Sequence, residues 1–488
     1  IPAFAEGGAN NYPIIFMGGR VKSNPIYDAE GNRINDISVS TDYITGAVED
    51  CLPYLLTARI TGNYQPWIDK FMEYFSPVYE KMLPDENGDI TDGSGPANMS
   101  DGSHAYPGYN GYDYIFSYDW REDPYKQADQ LHENIQYIKQ LKNVDKVSIS
   151  VRCYGGVIMG AYLDKYGSED LCTVFFNAAS TLGAEAAGCC FSNNIYFDTN
   201  AIQKYCEMES LTDNPELDEM IYTTLLSLNS LYLETGENST ITEIERELYT
   251  KVGPSVLLAS FARYASFWGM VSTEYYDDAM AIVFNTQELR EKYAGMIEKI
   301  ERYHEFQVNF EEKIAQLQQE GVNFAVLAKY NRVLSPIVKN PKLQSDGTVE
   351  LIHASFGATA ADFDAVLDVT GRDEDDPFIS SDRIIDASTC MFPERTWFVK
   401  DCPHTDVDLI LDKLIIKACK DPSFTVDSDE TYPRFMKWDD TNKVLSALND
   451  EPIVVKEKSI LGKLFEGFRN FFNFFKMIFD FINSYFSK

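Results

Sequence analysis

The stretch Val144-Asp-Lys-Val-Ser-Ile-Ser-Val-Arg-Cys-Tyr-Gly-Gly-Val-Ile-Met-Gly-Ala-Tyr-Leu163 decides the fold class. Its first half carries valine or isoleucine at every second position from 147 to 151, which predicts a buried strand. Its second half opens with Gly155-Gly156 and continues in a helical pattern. The chain therefore turns sharply from a strand into a helix, and Cys153 lies at the bend.

Cys153 is a candidate nucleophile because of this position. A helix N-terminus carries a partial positive charge, and together with a nearby imidazole it favours the thiolate over the thiol. The alternative is a buried core cysteine, since cysteine is among the most buried residue types. The rest of the chain must decide between the two.

The composition is that of an acidic globular protein. The 488 residues are 44% hydrophobic and 14% aromatic, so the chain can bury a large core. The net charge of −34 argues against nucleic-acid binding, because phosphate contacts need clustered Lys and Arg. No metal-ligand spacing such as His-Glu-x-x-His occurs among the five histidines, and we predict neither a metal nor an organic cofactor.

Two features predict an exported protein that is extracellular or at the cell surface. The chain starts at Ile1, and Ala3-Phe4-Ala5 fits the small-x-small site that signal peptidase leaves. Nine cysteines are an odd number, which leaves at least one thiol free in such a protein, and Cys153 is the best candidate for it.

Predicted strands and helices alternate in the first part of the chain, which indicates parallel pairing. They are a short strand within 12–20 that breaks into a Gly-rich loop, strands at 114–121, 147–151 and 171–176, and helices at 64–82, 124–142 and after Cys153. Helical periodicity then dominates, in 198–210, 214–234, 240–250 and 286–320. The fold class is therefore α/β, a mostly parallel sheet flanked by helices, with an inserted helical cap.

A long polar loop runs from Pro84 to Tyr112. It begins Asp85-x-Asn87-x-Asp89, as a calcium loop does, but Ile90 stands where the sharp turn needs Gly. We interpret it as a surface loop, with a bound cation as the lesser alternative.

With these pieces in order, the chain resembles the lecithin:cholesterol acyltransferase family of α/β-hydrolases. The resemblance reaches to about residue 410. Its motifs are Pro13-Ile-Ile-Phe-Met-Gly-Gly19, Tyr118-Asp-Trp-Arg121, the turn at Cys153, Ser266-Phe-Trp268, Ile379-Ser-Ser-Asp-Arg-Ile-Ile-Asp386 and Asp401-Cys-Pro-His404. The nucleophile turn departs from the usual Gly-x-Ser-x-Gly, because Val151 replaces the first Gly and Cys153 replaces Ser.

The resemblance implies a Cys153, Asp382, His404 triad in the chain order nucleophile, acid, histidine. Ser381-Asp382-Arg383 occupies the place of the family's acid turn, with Asp386 as the fallback acid. The remaining assignments are the oxyanion donors Tyr154, Gly19 and Gly18, and the substrate-binding residues Trp120, Arg152 and Trp268.

The resulting domains are a hydrolase core in two parts, 8–183 and 346–450, a cap at 184–345, and a C-terminal helix at 456–488. In that last segment, apolar residues recur at helical spacing from Leu461 to Phe486, with four basic and two acidic side chains between Ser459 and Lys488. Such a helix can lie in a membrane interface. The alternative is that its Phe stripe packs on the cap or on a partner subunit.

These features predict an acyl hydrolase or O-acyltransferase that acts on lipid-like esters at a membrane surface through an acyl-thioester. Two alternatives remain open. One is a non-catalytic, membrane-associated lipid-binding protein, and the other is a cysteine amidase or thioesterase that uses the same residues.

Overall fold

A nine-stranded, mostly parallel sheet forms the centre of the molecule in the computed structural model. The structure describes residues 11–19, 25–34, 41–96, 106–196, 201, 204–205, 240–335, 338–373, 375–404, 408–450 and 452. The strands are β1 (Ile14–Met17), β2 (Ile26–Tyr27), β3 (Gly95–Pro96), β4 (Tyr106–Pro107), β5 (Tyr114–Ile115), β6 (Val147–Cys153), β7 (Leu171–Ala179), β8 (Asn323–Tyr330), β9 (Thr359–Ala360), β10 (Ile385–Asp386), β11 (Thr396–Lys400), β12 (Phe435–Asp439) and β13 (Val444–Ala447).

The strand order in the central sheet is β13-β12-β11-β8-β7-β6-β1-β5-β4. The seven strands from β12 to β5 are parallel, and an antiparallel strand closes each edge. The carboxyl ends of β6, β8 and β11 therefore meet at one edge of the sheet. The two remaining strand pairs, β2 with β3 and β9 with β10, are short antiparallel ribbons outside it.

Helices cover both faces of the sheet. They are α1 (Thr41–Thr61), α2 (Gln65–Tyr79), α3 (Pro124–Lys142), α4 (Gly155–Tyr166), α5 (Glu185–Ser192), α6 (Thr240–Leu258), α7 (Ala265–Trp268), α8 (Tyr276–Val283), α9 (Gln287–Lys292), α10 (Ala294–Val308), α11 (Phe310–Gln319), α12 (Leu351–Ala354) and α13 (Asp408–Lys420). None of the helices in the described ranges is long and apolar enough to cross a membrane.

Strand alternation divides the core into two layers. Ile15 and Met17 of β1 pack with α3, α4 and α10, whereas Ile14 and Phe16 pack with α13 on the opposite face. This is the period-two alternation of a strand that is buried on both sides. The predicted helix at 124–142 is confirmed with these same bounds, and the predicted strand over 147–151 is confirmed and extends to Cys153.

The predicted cap range contains more than helices. Helices α5 to α11 lie within 184–345, but so does β8, which pairs with β7 and β11 in the middle of the sheet. Seven of its eight residues are buried, and a strand buried on both faces shows no apolar and polar alternation that the sequence could reveal. The second part of the sheet domain therefore begins at Asn323. The helices predicted at 198–210 and 214–234 and the segment 456–488 lie outside the described residues, apart from single positions near 201–205.

Candidate active site

The turn between β6 and α4 holds Cys153 in a left-handed backbone conformation. Its φ is +52°, which costs a residue with a side chain of order 1–3 kcal/mol. The thiol is partly accessible, and its neighbours on either side in the chain are buried. A sharp, strained turn from a strand into a helix is the geometry that presents a nucleophile at the end of a sheet in α/β-hydrolases.

The glycines around Cys153 are required by space. A Cβ on Gly155 would lie 2.8 Å from the Met17 carbonyl oxygen, and a Cβ on Gly156 would lie 2.5 Å from Thr181 Oγ1. Real Cβ atoms do not approach other heavy atoms this closely. The Gly155-Gly156 pair therefore lets the start of α4 pack directly on β1 and on the chain that follows β7.

The imidazole of His404 lies between the thiol and a buried carboxylate. His404 follows β11, and its Nδ1 is 2.7 Å from Oδ2 of Asp346, whose side chain is 1% exposed. The other ring nitrogen, Nε2, is buried and makes no well-aligned hydrogen bond within the described part of the chain. Because Asp346 occupies Nδ1, Nε2 is the nitrogen that is left for Cys153.

The ionisation of the thiol and that of the imidazole depend on each other. Burial opposes the thiolate, but the charge and hydrogen-bonding capacity of His404 and the N–H of Tyr154 outweigh it, so the pKa of Cys153 lies below its usual value. Burial also opposes the imidazolium, yet the Asp346 carboxylate and the Cys153 thiolate together raise the pKa of His404 to about 10. A thiolate and imidazolium pair is thus favoured near neutral pH.

Asp346 is fixed in place by the backbone around it. Its Oδ1 accepts from the N–H groups of Thr348 and Val349, at 2.9 and 2.8 Å, and its own carbonyl oxygen accepts from the N–H of His404 at 3.1 Å. Burial raises its pKa, but the charge of His404, the hydrogen bond to it and the charge of Lys329 bring the net value below the usual range. The carboxylate therefore stays ionised and orients the imidazole.

The acid predicted from the sequence, Asp382, is elsewhere. It is fully buried and accepts from Tyr330 Oη at 3.1 Å, from Ser380 Oγ at 2.6 Å and from Lys400 Nζ at 2.9 Å. The fallback, Asp386, is paired with Arg372 and accepts from the N–H of Ser388. Neither carboxylate contacts His404, and the carboxylate that pairs with its imidazole is that of Asp346 instead of the predicted Asp382.

A signal for Asp346 was present in the sequence. Asp346-Gly347 follows a strand, and Gly347 has a φ of +93°, as a tight Asp-Gly turn requires. The prediction of a cap over 184–345 includes β8 and so hides the loop at its carboxyl end. Once β8 is known, Asp346 is the first acidic residue that follows it in the chain.

Gly19 lies directly against the nucleophile turn. A Cβ on Gly19 would be 2.6 Å from the nitrogen of Tyr154 and 2.5 Å from Cβ of Cys153. The backbone of Gly19 and the N–H of Tyr154 are thus adjacent beside the thiol, where oxyanion donors are needed. Gly18 is less crowded, and its carbonyl oxygen accepts from the hydroxyl of Tyr118.

The three residues assigned to substrate binding are largely buried. Trp120 is 4% exposed and stacks on Phe267 with ring centroids 5.4 Å apart, while Trp268 is 2% exposed and donates to the carbonyl oxygen of Ala262. Arg152 is 7% exposed, with its guanidinium over the ring of Phe16. In this arrangement both tryptophans pack inside the protein core.

No group of metal ligands is found within the described residues. In the loop that begins Asp85-x-Asn87-x-Asp89, the ammonium of Lys299 binds Asn87 O and Asp89 Oδ1, each at 2.8 Å. Asp85 accepts from the N–H groups of Asn87 and Asp89. A lysine therefore supplies the positive charge to this loop, and the calcium alternative is not needed.

The chain matches no family model and no curated protein. Among solved structures, one titled "The crystal structure of Tle4-Tli4 complex" aligns with 65% of this chain and 75% of that chain. The identity is 11% and the TM-score is 0.23, a likeness that carries no argument about function.

Proposed function

We propose that this chain is an α/β-hydrolase that transfers acyl groups through a Cys153, His404 and Asp346 triad. The observation that carries the proposal is the arrangement of these three side chains. A cysteine with left-handed φ at a strand-to-helix turn is coupled to a histidine, and a buried aspartate holds the other nitrogen of that histidine. Cys153 ends β6, while Asp346 and His404 follow the carboxyl ends of β8 and β11, at the same edge of the sheet.

In the proposed reaction the Cys153 thiolate attacks an acyl carbonyl carbon and forms a C–S bond. The carbonyl oxygen becomes an oxyanion beside the N–H groups of Tyr154 and Gly19, each typically worth about 2.7–4 kcal/mol of barrier. The bond to the leaving group breaks as His404 protonates that group, which leaves an acyl-thioester. Water or an alcohol, deprotonated by His404, then releases the acyl group.

Lipid-like esters are the substrates that we favour. Support comes from the sequence alone, namely the motifs shared with lipid acyltransferases and the Phe-rich segment at 456–488. A soluble ester, amide or thioester would use the same residues, so the acyl donor must be found by experiment.

Intact-protein mass spectrometry tests the proposal. The protein is incubated with p-nitrophenyl butyrate, a phospholipid, an acyl amide and an acyl-CoA. We expect one acyl group per chain, absent in Cys153→Ala and retained in Cys190→Ala. Cys190 is the matched control because it is the other partly accessible cysteine within the described ranges. If no donor acylates the protein while lipid vesicles still bind it, the chain is a non-catalytic lipid-binding protein.

A further inference from the structure

A buried lysine supports the proposed site from beneath. Lys329 lies on β8, in the middle of the sheet, and is 2% exposed. Its Nζ donates to the carbonyl oxygens of Pro403 and His404, each at 2.9 Å. Within the described residues no carboxylate lies within ion-pair distance of this ammonium. Burying an ammonium is costly unless hydrogen bonds or nearby charge compensate it. The buried ammonium of Lys329 therefore needs such compensation.

Lys329 restrains the backbone that carries the imidazole of His404. The His404 backbone has two restraints, the N–H that donates to the Asp346 carbonyl oxygen and the carbonyl oxygen that accepts from Lys329. The same ammonium also holds the preceding residue, Pro403. Two backbone oxygens held by one side chain fix the direction in which the imidazole leaves the chain.

The charge of Lys329 also offsets the negative charge of Asp346. With a thiolate on Cys153 and an imidazolium on His404, the triad carries a net charge of −1 because Asp346 is ionised. Lys329 brings the four groups to neutrality, and its positive charge is one of the causes that lower the pKa of Asp346. A buried cluster without net charge is far less costly than one with an unbalanced charge.

We propose that Lys329 is a positioning residue of the active site, which fixes the His404 backbone and balances the charge of Asp346. This inference rests on the proposed function, since it assumes that Cys153 and His404 react together. Lys329 itself does not touch the substrate.

Other ionisable groups face the same region. They are Cys402, Arg152 and Arg332, and the charges of the two arginines, of Lys329 and of Asp346 all act on the Cys402 thiol. Burial, the largest cause, raises the pKa of Cys402 to about 11, so this thiol stays neutral below pH 10. Cys402 therefore does not change charge while Cys153 titrates.

The test follows the alkylation of Cys153 by iodoacetamide between pH 4 and 10, read by peptide mass spectrometry. In Lys329→Met we expect alkylation at the wild-type midpoint pH to be at least about tenfold slower, because the thiolate is less favoured. The same direction is expected for Lys329→Gln, which keeps a donor but no charge, and Lys329→Arg should restore most of the rate.

Lys400→Met is the matched control. Lys400 is also a buried lysine on a central strand, but its partners are Asp382 and Asp450. We expect it to lower the melting temperature and leave the Cys153 midpoint unchanged. If Lys329→Met unfolds, Lys329→Gln and Lys329→Arg still test the charge. The inference would be overturned if folded Lys329→Met or Lys329→Gln had the same kcat as wild type and the same midpoint pH for Cys153 alkylation. If the midpoint pH for Cys153 alkylation in the wild-type protein were near 9, that result would instead count against the proposed function.

Discussion

At the scale of single residues, two buried aspartates have opposite roles. Asp346 holds the imidazole of His404, whereas Asp382 holds Lys400 and Tyr330. We expect Asp346→Asn to lower kcat by about 10³- to 10⁴-fold, as loss of the orienting carboxylate does in other triads. Asp382→Asn should instead lower the free energy of unfolding by about 3–5 kcal/mol, because it leaves Lys400 less compensated.

Steady-state kinetics corrected for the folded fraction, with urea unfolding of both variants, separates the two roles. Asp386→Asn is the control for the fallback acid, since Asp386 is paired with Arg372 away from His404. The triad would have to be reassigned if Asp382→Asn lost turnover per folded molecule while Asp346→Asn retained it.

The histidine also links stability to pH. Asp346 raises the pKa of His404, so the folded state binds a proton more tightly than the unfolded chain, whose histidine titrates near 6.5. The stabilisation is therefore fully present below about pH 6.5 and is lost as pH rises towards about 10.

Urea unfolding of Cys153→Ala and of Cys153→Ala with His404→Gln, from pH 5 to 10, measures this contribution without the thiol. We expect the difference in unfolding free energy between them to shrink as pH rises. The absence of Cys153 also removes one of the causes that raise the pKa of His404, so the loss should be complete before pH 10. A difference that grows with pH would contradict a protonated His404 in the fold.

At the scale of elements, the loop after β1, which packs against the β6 to α4 turn, requires a glycine at position 19 and tolerates a side chain at position 18. Gly19 has no room for a Cβ, since Arg152 O and Tyr154 N would be 2.5 and 2.6 Å away. At Gly18 the nearest atom would be a Phe16 ring carbon at 3.4 Å, an ordinary contact. We expect Gly19→Ala to lower kcat by about 10²- to 10³-fold through displacement of the oxyanion donors.

Gly18→Ala is the matched control, and its kcat should stay within about threefold of the wild-type value. The measurement is p-nitrophenyl butyrate hydrolysis, with circular dichroism to establish that both variants fold. Equal kcat in the two variants would remove Gly19 from the proposed oxyanion site.

The same elements explain what the sequence could and could not reveal. The turn at Cys153 was predictable because strand alternation, two glycines and a helical pattern follow one another within twenty residues. The Asp-Gly signal at Asp346 becomes informative only once β8 is recognised, and β8 is a strand buried on both faces that follows a long helical region. Lys329 was missed for the same reason, since a lysine within an unrecognised strand reads as a solvated charge.

At the scale of the whole molecule, contacts between distant segments explain the packing of the aromatic and charged motif at 118–121. The sequence favoured a substrate-binding role for Trp120, but Asp119 and Arg121 form a buried bidentate pair, and Ser266 Oγ donates to the Trp120 carbonyl oxygen at 2.7 Å. The motif therefore joins the sheet to α7. Such a role requires knowledge of which distant segment packs against it, and local spacing does not contain that information.

The charge of the whole chain bears on where it could act. A protein with a net charge of −34 is repelled by anionic membranes, so membrane binding would depend on apolar contacts and on the locally basic segment between Ser459 and Lys488. That segment lies outside the described residues, and the prediction rests on its sequence. Phe468, Phe475 and Phe479 share one face at helical spacing.

We expect the triple Phe→Ser variant at 468, 475 and 479 to bind phosphatidylcholine vesicles at least about tenfold more weakly than wild type, because three apolar contacts with the acyl region are lost. The control replaces Asn470, Asn473 and Asn483 with Ser, and it should bind as wild type does. Vesicle co-sedimentation measures the binding, and hydrolysis of soluble p-nitrophenyl butyrate should stay within about twofold in both variants, because the triad lies on the sheet domain. If the Phe variant binds vesicles normally but melts at a lower temperature, the stripe packs against the protein instead, and the membrane proposal fails.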